Sequence, residues 1–224
     1  MSKQFMRISA GSMVIAGCLV LCNAVYADGY RNPPPTAESI GKSGVNSVFV
    51  DDASAVALNP ANLAGQTNAS FVASMTLART ENTYSPAPGV SFQSDGDWNL
   101  LPNLFYAQPI GDSGTVLGLG IMTPYGQGIS WDRSNFLPAA TPGNPVPYEA
   151  QLALINVNPT VAFSVTEDVN IGLGVDLYLS KLDLKAVNVF PGPTYLDSEA
   201  EAYGAGVGAN VGVTWQVNDA HSVA

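Results

Sequence analysis

Cysteine, positive charge, histidine and long apolar runs are all scarce in this sequence, and each scarcity closes off a class of protein. The two cysteines, Cys18 and Cys22, both lie within the first 27 residues. That stretch opens with Lys3 and Arg7, continues as the apolar "ISAGSMVIAGCLVLCNA", and offers small residues at Val25 and Ala27 before Asp28. A basic start, a short apolar core and a small-residue cleavage site are the layout of a secretory signal peptide, read here as residues 1–27. The alternative is a lipoprotein signal, because "IAGC" ends at Cys18, although the apolar sequence then runs on past the cysteine. Cleavage after Ala27 leaves no cysteine in a compartment that permits disulfides, which excludes a small disulfide-stapled scaffold.

Cleavage also removes Lys3 and Arg7 but no acid. Six basic and eighteen acidic residues remain, and the formal charge moves from −10 to −12. Nucleic-acid partners are excluded, since phosphate binding draws on clustered Lys and Arg. Charged residues are only 12 % of the chain, against about 25 % in soluble domains. Yet after residue 27 nothing approaches the ~20 consecutive apolar residues of a membrane helix. That also rules out an aquaporin-like reading of the Asn-Pro-Ala at 59–61.

Catalysis finds little support. A lipid hydrolase needs a nucleophile, a base and an orienting group. The one histidine, His221, sits in a terminal turn with no partner identifiable in the sequence. The pairs Asp51 with Asp52 and Glu199 with Glu201 read as solvated surface. No catalytic residue, metal site or cofactor is assigned.

What the chain does contain is period-two alternation. In "EAYGAGVGANVGVTWQV" the odd positions carry Tyr203, Val207, Val211, Val213, Trp215 and Val217, while the even positions are mostly glycine. That is a strand with two faces, one apolar and one nearly bare. Glycine on the second face leaves room for something to lie against it. Tyr203 and Trp215 share the apolar face twelve residues apart. At about 3.3 Å per residue and a ~45° tilt they bracket roughly 28 Å of height, close to the apolar band between aromatic girdles of an outer-membrane barrel.

The same alternation recurs in "QLALINVNPTVAFSV", "TVLGLGIMTPYG" and "NIGLGVDLYLSKLDLKA", and more weakly in "SFVASMTLART" and "LLPNLFYAQ". In the third of these the apolar face becomes Lys181, Asp183 and Lys185 after Ser180, which reads as a strand leaving the lipid. Those charges either meet lipopolysaccharide phosphates or form a solvated rim. Residues 81–98, 127–149 and 186–200 are expected to be long loops, and "IGDSG", "TED" and "VNDAH" tight turns. Long loops at one end and short turns at the other is the plan of an outer-membrane barrel.

Six strands cannot close such a barrel. Unpaired edge groups cost several kcal/mol each in lipid, and single-chain bacterial barrels begin at eight strands. The chain is therefore expected to be the N-terminal part of a longer, monomeric barrel, with closure by oligomerisation the alternative.

Three stretches carry a resemblance: "GKSGVNSVFVDDASAVALNPANLAG", "LLPNLFYAQPIGDSGTVLGLGIMTPYGQGISW" and "NVNPTVAFSVTEDVNIGLGVDLYLSKL". Their order resembles the FadL/TodX (OMPP1) family of outer-membrane transporters for long-chain fatty acids and other hydrophobic compounds. The resemblance implies an all-β transmembrane antiparallel barrel of fourteen strands, about six of them present over residues 69–224. It implies that residues 28–68 fold into the lumen as a hatch, with Asn59, Pro60 and Ala61 matching the family's motif and Asp51 and Asp52 beside it.

Within the hatch, Asp52 is expected to cap a helical turn through Leu58, and Asn59 to cap a second turn that Pro60 begins and Gly65 ends. Turns this short need walls around them. The resemblance further implies a kink in the third strand that opens a lateral gap, for which Gly118 and Gly120 are the candidate residues. Capture by apolar extracellular loops would fall to Trp131, Phe136 and Leu137, unless these form only the loop's own apolar cluster. Partners would be hydrophobic small molecules and outer-membrane lipid. A general diffusion porin, with a polar lumen, and a structural or adhesive barrel are the alternatives.

Overall fold

The computed structural model describes residues 31–224 apart from 46, 112 and 191–193. The expected signal peptide lies outside the described residues, as do the first residues of the expected hatch. Ten strands follow a short helical segment: β1 (Ser70–Arg79), β2 (Thr83–Ala87), β3 (Val90–Gln93), β4 (Trp98–Pro109), β5 (Thr115–Met122), β6 (Gly126–Ser130), β7 (Val146–Ser164), β8 (Val169–Phe190), β9 (Thr194–Asn218) and β10 (His221–Val223). The main sheet runs β1-β4-β5-β7-β8-β9-β10, with β6 on β7, while β2 and β3 form a separate hairpin. Every strand pairing is antiparallel. This is a meander of six long strands, each near one of the six alternating segments of the sequence.

The alternation decides which face turns where. Along β5, Val116, Gly118, Gly120 and Met122 are buried, and Leu117, Leu119 and Ile121 point the other way and are exposed. Phe71, Met75, Leu173, Val175, Leu177 and Val211 extend the exposed apolar face across the sheet. A patch of that size has no place on a soluble monomer. It is the lipid-facing wall of a barrel, and Trp98, Tyr106, Tyr203 and Trp215 stand exposed among its residues. No described helix is long and apolar enough to cross a membrane.

The core lies on the inner face. Val50, Ala53, Ala55, Val56 and Leu63, which precede β1, pack against Phe105, Ala107, Val116 and Met122 of β4 and β5 and Ala162 of β7. The segment expected to be the hatch thus lies against the inner face, and its described helices are α1 (Ala37–Gly41), α2 (Ala55–Leu58) and a 3₁₀ turn over Pro60–Gly65. Helices this short do not hold in water; burial against the wall stabilises them.

One expected loop is corrected. Residues 186–190 and 194–200 continue β8 and β9 as paired strands, from Ala186↔Ser198 out to Phe190↔Thr194. At 22 and 25 residues these strands far exceed the 9–11 residues needed to cross a bilayer. Their paired ends therefore project beyond it. Val187 is fully buried there, opposite Val146 of β7 and Asp197 of β9.

Candidate functional site

The hatch touches the wall where the wall has no side chains. A Cβ built at Gly172 of β8 would lie 2.3 Å from the carbonyl carbon of Pro60, and one at Gly212 of β9 would lie 2.1 Å from Oδ1 of Asn59. At Gly118 it would meet Leu63 and Val56 at 2.7 Å, and at Gly120 it would meet Met122 at 2.8 Å and Val56 at 2.9 Å. The nearly bare face read from the sequence is the seat of the hatch.

Amides fix the hatch in that seat. Asn59 caps the 3₁₀ turn, its side-chain oxygen accepting the Ala61 N–H at 3.2 Å with Pro60 next in the chain. Its Nδ2 donates to Oγ1 of Thr214 at 3.0 Å and to the carbonyl of Val213 at 3.3 Å. Thr214 donates in turn to Oδ1 of Asn62, and Asn62 donates to the carbonyls of Ser47 and Val50 at 2.8 and 3.0 Å. Asn59 and Asn62 thus tie both ends of residues 47–62 to β9.

The aspartates do less than expected. Asp52 accepts the N–H of Ser54 at 2.7 Å, so it closes a turn ahead of the helix. The residue at the N-cap of α2 is Ser54, whose side chain makes no capping bond. The reason is that the chain turns twice before it becomes helical, with Ala55 N–H bonded to Asp52 O at 3.1 Å. Asp51 is exposed. Hatch-to-wall polar contacts therefore come from amides and a hydroxyl, not from these carboxylates.

The third long strand is broken, though not at its glycines. Gly118 and Gly120 sit in regular register opposite Thr160 and Asn158 of β7. Their pairing is unbroken, and they are bare where the hatch lies on them. The interruption falls at residues 123–125, between β5 and β6, where Pro124 supplies no N–H to a ladder. Both halves pair with β7, but only β5 pairs with β4, and that ladder ends at Leu104↔Ile121. No ladder therefore joins residues 98–103 of β4 to β6, where Oδ1 of Asn99 lies 3.3 Å from the place of a Cβ on Gly128.

The start of the hatch fills the break. Asn32 donates its backbone N–H to the carbonyl of Pro124 at 2.9 Å and its side-chain amide to the carbonyl of Thr123 at 2.7 Å. Arg31 bridges Tyr125 as a single antiparallel β-pair. Asn103 of β4 donates to the carbonyl of Pro35 at 3.1 Å and accepts the Thr123 N–H at 3.1 Å. Above this plug a mainly apolar pocket of about 370 Å³ opens between Ile40, Leu77, Leu101 and Gly126.

The loops beyond the break carry an aromatic cluster. Phe136 lies 6.0 Å from Trp131, 6.2 Å from Phe92 and 6.4 Å from Tyr84, and Tyr84 meets Trp131 edge-on at 6.5 Å. The β2–β3 hairpin is held on this loop by Ser130, which donates to Asp95 at 2.8 Å. Asp132 accepts the Ser134 N–H at 2.8 Å. The Ser134 side chain and that N–H hold the Asp132 carboxyl below its usual 3.8. Leu137 begins the next 3₁₀ turn, half-buried beside the rings.

The model of the outer membrane protein transport protein family (OMPP1/FadL/TodX) matches residues 19–224. The chain belongs to the OMPP1/FadL/TodX family. Among solved structures it is similar to a Pseudomonas aeruginosa FadL homologue (18 % identity, TM-score 0.61, covering 86 % of this chain and 50 % of that one). It is also similar to the Pseudomonas putida toluene transporter TodX (17 %, 0.63, 85 % and 53 %). The Ralstonia pickettii toluene transporter TbuX is a third (20 %, 0.57, 88 % and 56 %). No curated protein matches the chain. The chain spans about half the length of these structures, and at such identities the likeness is one of fold. As a member of the FadL/TodX family the chain belongs to an outer-membrane β-barrel.

Several residues of this FadL/TodX-family site escaped the sequence reading. Asn62, Thr214, Gly172 and Gly212 meet the hatch, and Asn32 and Asn103 seal the break. Tyr84 and Phe92 complete the aromatic cluster. Only the bare glycine face gave a sign of the seat; nothing in the sequence says which Asn or Thr meets which. The rim lysines are paired: Lys181 lies 2.8 Å from Asp183 and 3.3 Å from Glu201, and Lys185 lies 2.9 Å from Glu149. Hydrogen bonds from Lys181 to those two carboxylates push its pKa up to about 12.

Proposed function

We propose that this chain forms the hatch-bearing part of a channel that takes long-chain fatty acids or hydrocarbons across the outer membrane. The aromatic cluster with Trp131 and Phe136, flanked by Leu137, collects the ligand at the loops. The hatch, with Asp51, Asp52, Asn59, Pro60 and Ala61, blocks the lumen. The strand break at residues 123–125 releases the ligand sideways into the membrane, with Gly118 and Gly120 giving the hatch its place below. The observation that carries this reading is that residues 31–35 hydrogen-bond into the strand break. A shift of the hatch therefore unplugs lumen and side opening together. That two similar structures are toluene transporters supports an apolar cargo. A general diffusion porin fits less well, because apolar hatch residues fill the inner face where a porin carries water.

The test is uptake by proteoliposomes carrying the full-length protein. Radiolabelled toluene or oleate should accumulate while labelled glucose does not. Free passage of glucose with no accumulation of either apolar compound would overturn the reading in favour of a porin.

A further inference from the structure

One polar cluster on the inner wall takes no part in holding the hatch. Asp176 of β8 is buried, and three amides converge on it: Asn156 and Asn158 of β7 donate to Oδ1 at 2.8 and 2.6 Å, and Asn210 of β9 donates to Oδ2 at 3.0 Å. Three N–H donors suit an acceptor-only, ionised carboxylate. They also fix how each amide points, because turning one over would set its carbonyl oxygen against the carboxylate. Gly174 makes room for the arrangement; a Cβ there would lie 2.6 Å from Oδ1 of Asn210 and 2.8 Å from Oδ1 of Asn158.

The amide orientation leaves carbonyl oxygens without donors. Oδ1 of Asn158 accepts the Thr160 hydroxyl, but Oδ1 of Asn156 and Oδ1 of Asn210 are buried with no hydrogen-bond partner among the described residues. Asn156 is only 2 % exposed. A buried acceptor left unpaired costs about 1–3 kcal/mol, so such a group calls for an explanation. Asp176, Asn156 and Asn210 line one pocket of about 240 Å³. Its other wall is apolar, made by Val56 and Leu58 of the hatch and Met122 at the strand break. Arg31 and Tyr125 border it at the break, with Tyr178 of β8 on the polar wall; Arg31 is exposed.

We infer that this pocket is a binding site for a small apolar molecule that carries a hydrogen-bond donor, a hydroxyl or amino group on a ring of phenol or aniline size. The donor points at Asp176, the acceptor whose carboxylate the three amides orient, and the ring lies against Val56, Leu58 and Met122. A carboxylate of the same size gains nothing at this wall, because it brings a second negative charge and no donor. The inference rests on the channel reading above and narrows its cargo: the site ranks donor-bearing aromatics above plain hydrocarbons, and both above anions.

Isothermal titration of the full-length protein in detergent with phenol, toluene and benzoate tests it. Phenol should bind about tenfold more tightly than toluene, the worth of one hydrogen bond to a charged acceptor. Benzoate should bind no better than toluene. Asp176→Asn should erase the phenol preference. Should that variant fail to fold, judged by heat-modifiable gel mobility, Asn210→Leu leaves Asp176 two amide donors and should still reduce the preference. Equal affinity for phenol and toluene in the unaltered protein would overturn the inference, as would a preference untouched by either folded variant. Tighter benzoate binding lost on Arg31→Gln would overturn it in favour of an anion site. Failure of all three compounds to bind would count against the channel reading itself.

Discussion

Glycines on this wall differ in what they are for, and the difference is measurable. Gly172 and Gly212 face backbone and side chain of the hatch at distances no Cβ tolerates, whereas a Cβ at Gly206 would meet only Tyr178 at 3.8 Å. Elsewhere in a strand, alanine is better than glycine by roughly 0.5–1 kcal/mol. Gly206→Ala should therefore be neutral or slightly stabilising. Gly172→Ala forces Pro60 off the wall, and overpacking of this kind costs about 1–3 kcal/mol. The hatch is the part able to yield, so limited proteolysis should cut within residues 31–65 faster in Gly172→Ala while the strands stay protected. Equal cleavage rates in the two variants would show that the hatch does not rest on Gly172. The sequence displayed this bare face plainly because every second residue of the last strand is small. It could not display the partners, since Asn59 meets Thr214 across 155 positions and no local pattern encodes that pairing.

Elements were legible to the extent that they repeat. The six long strands follow from period-two alternation, and the tight turns follow from clustered Gly, Ser, Asp and Asn. The interruption of the third strand falls in "TPYG", downstream of the two glycines named for a kink. Glycine permits a bend, whereas Pro124 at residues 123–125 removes a ladder donor outright. Residues 186–190 and 194–200 misled in the opposite direction, for they read as part of a loop while the pairing of β8 and β9 runs on through them, across Asp197 and Ser198.

The 3₁₀ turn Arg133–Asn135 carries its own test. Asp132 caps it, and its carboxyl is held below 3.8 by the Ser134 side chain and N–H. A carboxyl depressed on folding stabilises the turn above its ordinary value and loses that contribution as pH falls through the lower, folded-state value. With Trp98 and Trp215 replaced by Phe, Trp131 fluorescence should stay level on acidification until the pH is below 3.8, then change as the ring cluster loosens. Asp132→Ala should show the loosened signal already at neutral pH. A transition above 3.8, or one that survives in Asp132→Ala, would assign the change to another group.

At the scale of the molecule, the exposed apolar face, the aromatic residues among it and the hatch on the inner side make one device: a lipid-facing wall with its core in the lumen. The wall is an open arc with β1 at one edge and β9 and β10 at the other. Its order of elements was readable because lipid imposes two strict rules, an apolar outward face and complete backbone pairing. The coupling of hatch and strand break was not readable, because it depends on a few amide hydrogen bonds between residues 31–35, the third strand and β4.

That coupling is also where the account is most exposed to refutation. Asn62 and Thr214 touch across the hatch–wall interface, and residues 28–224 carry no cysteine, so with any cysteine outside this sequence replaced by serine a thiol pair placed there has no competitor. Asn62→Cys with Thr214→Cys, joined by a short cleavable thiol linker, pins the hatch to β9. The measurement is uptake of radiolabelled toluene by proteoliposomes of this full-length variant before linking, after linking and after cleavage of the linker. A mobile, gating hatch predicts uptake that falls at least tenfold on linking and returns on cleavage. Uptake that continues unchanged with the hatch pinned would contradict it.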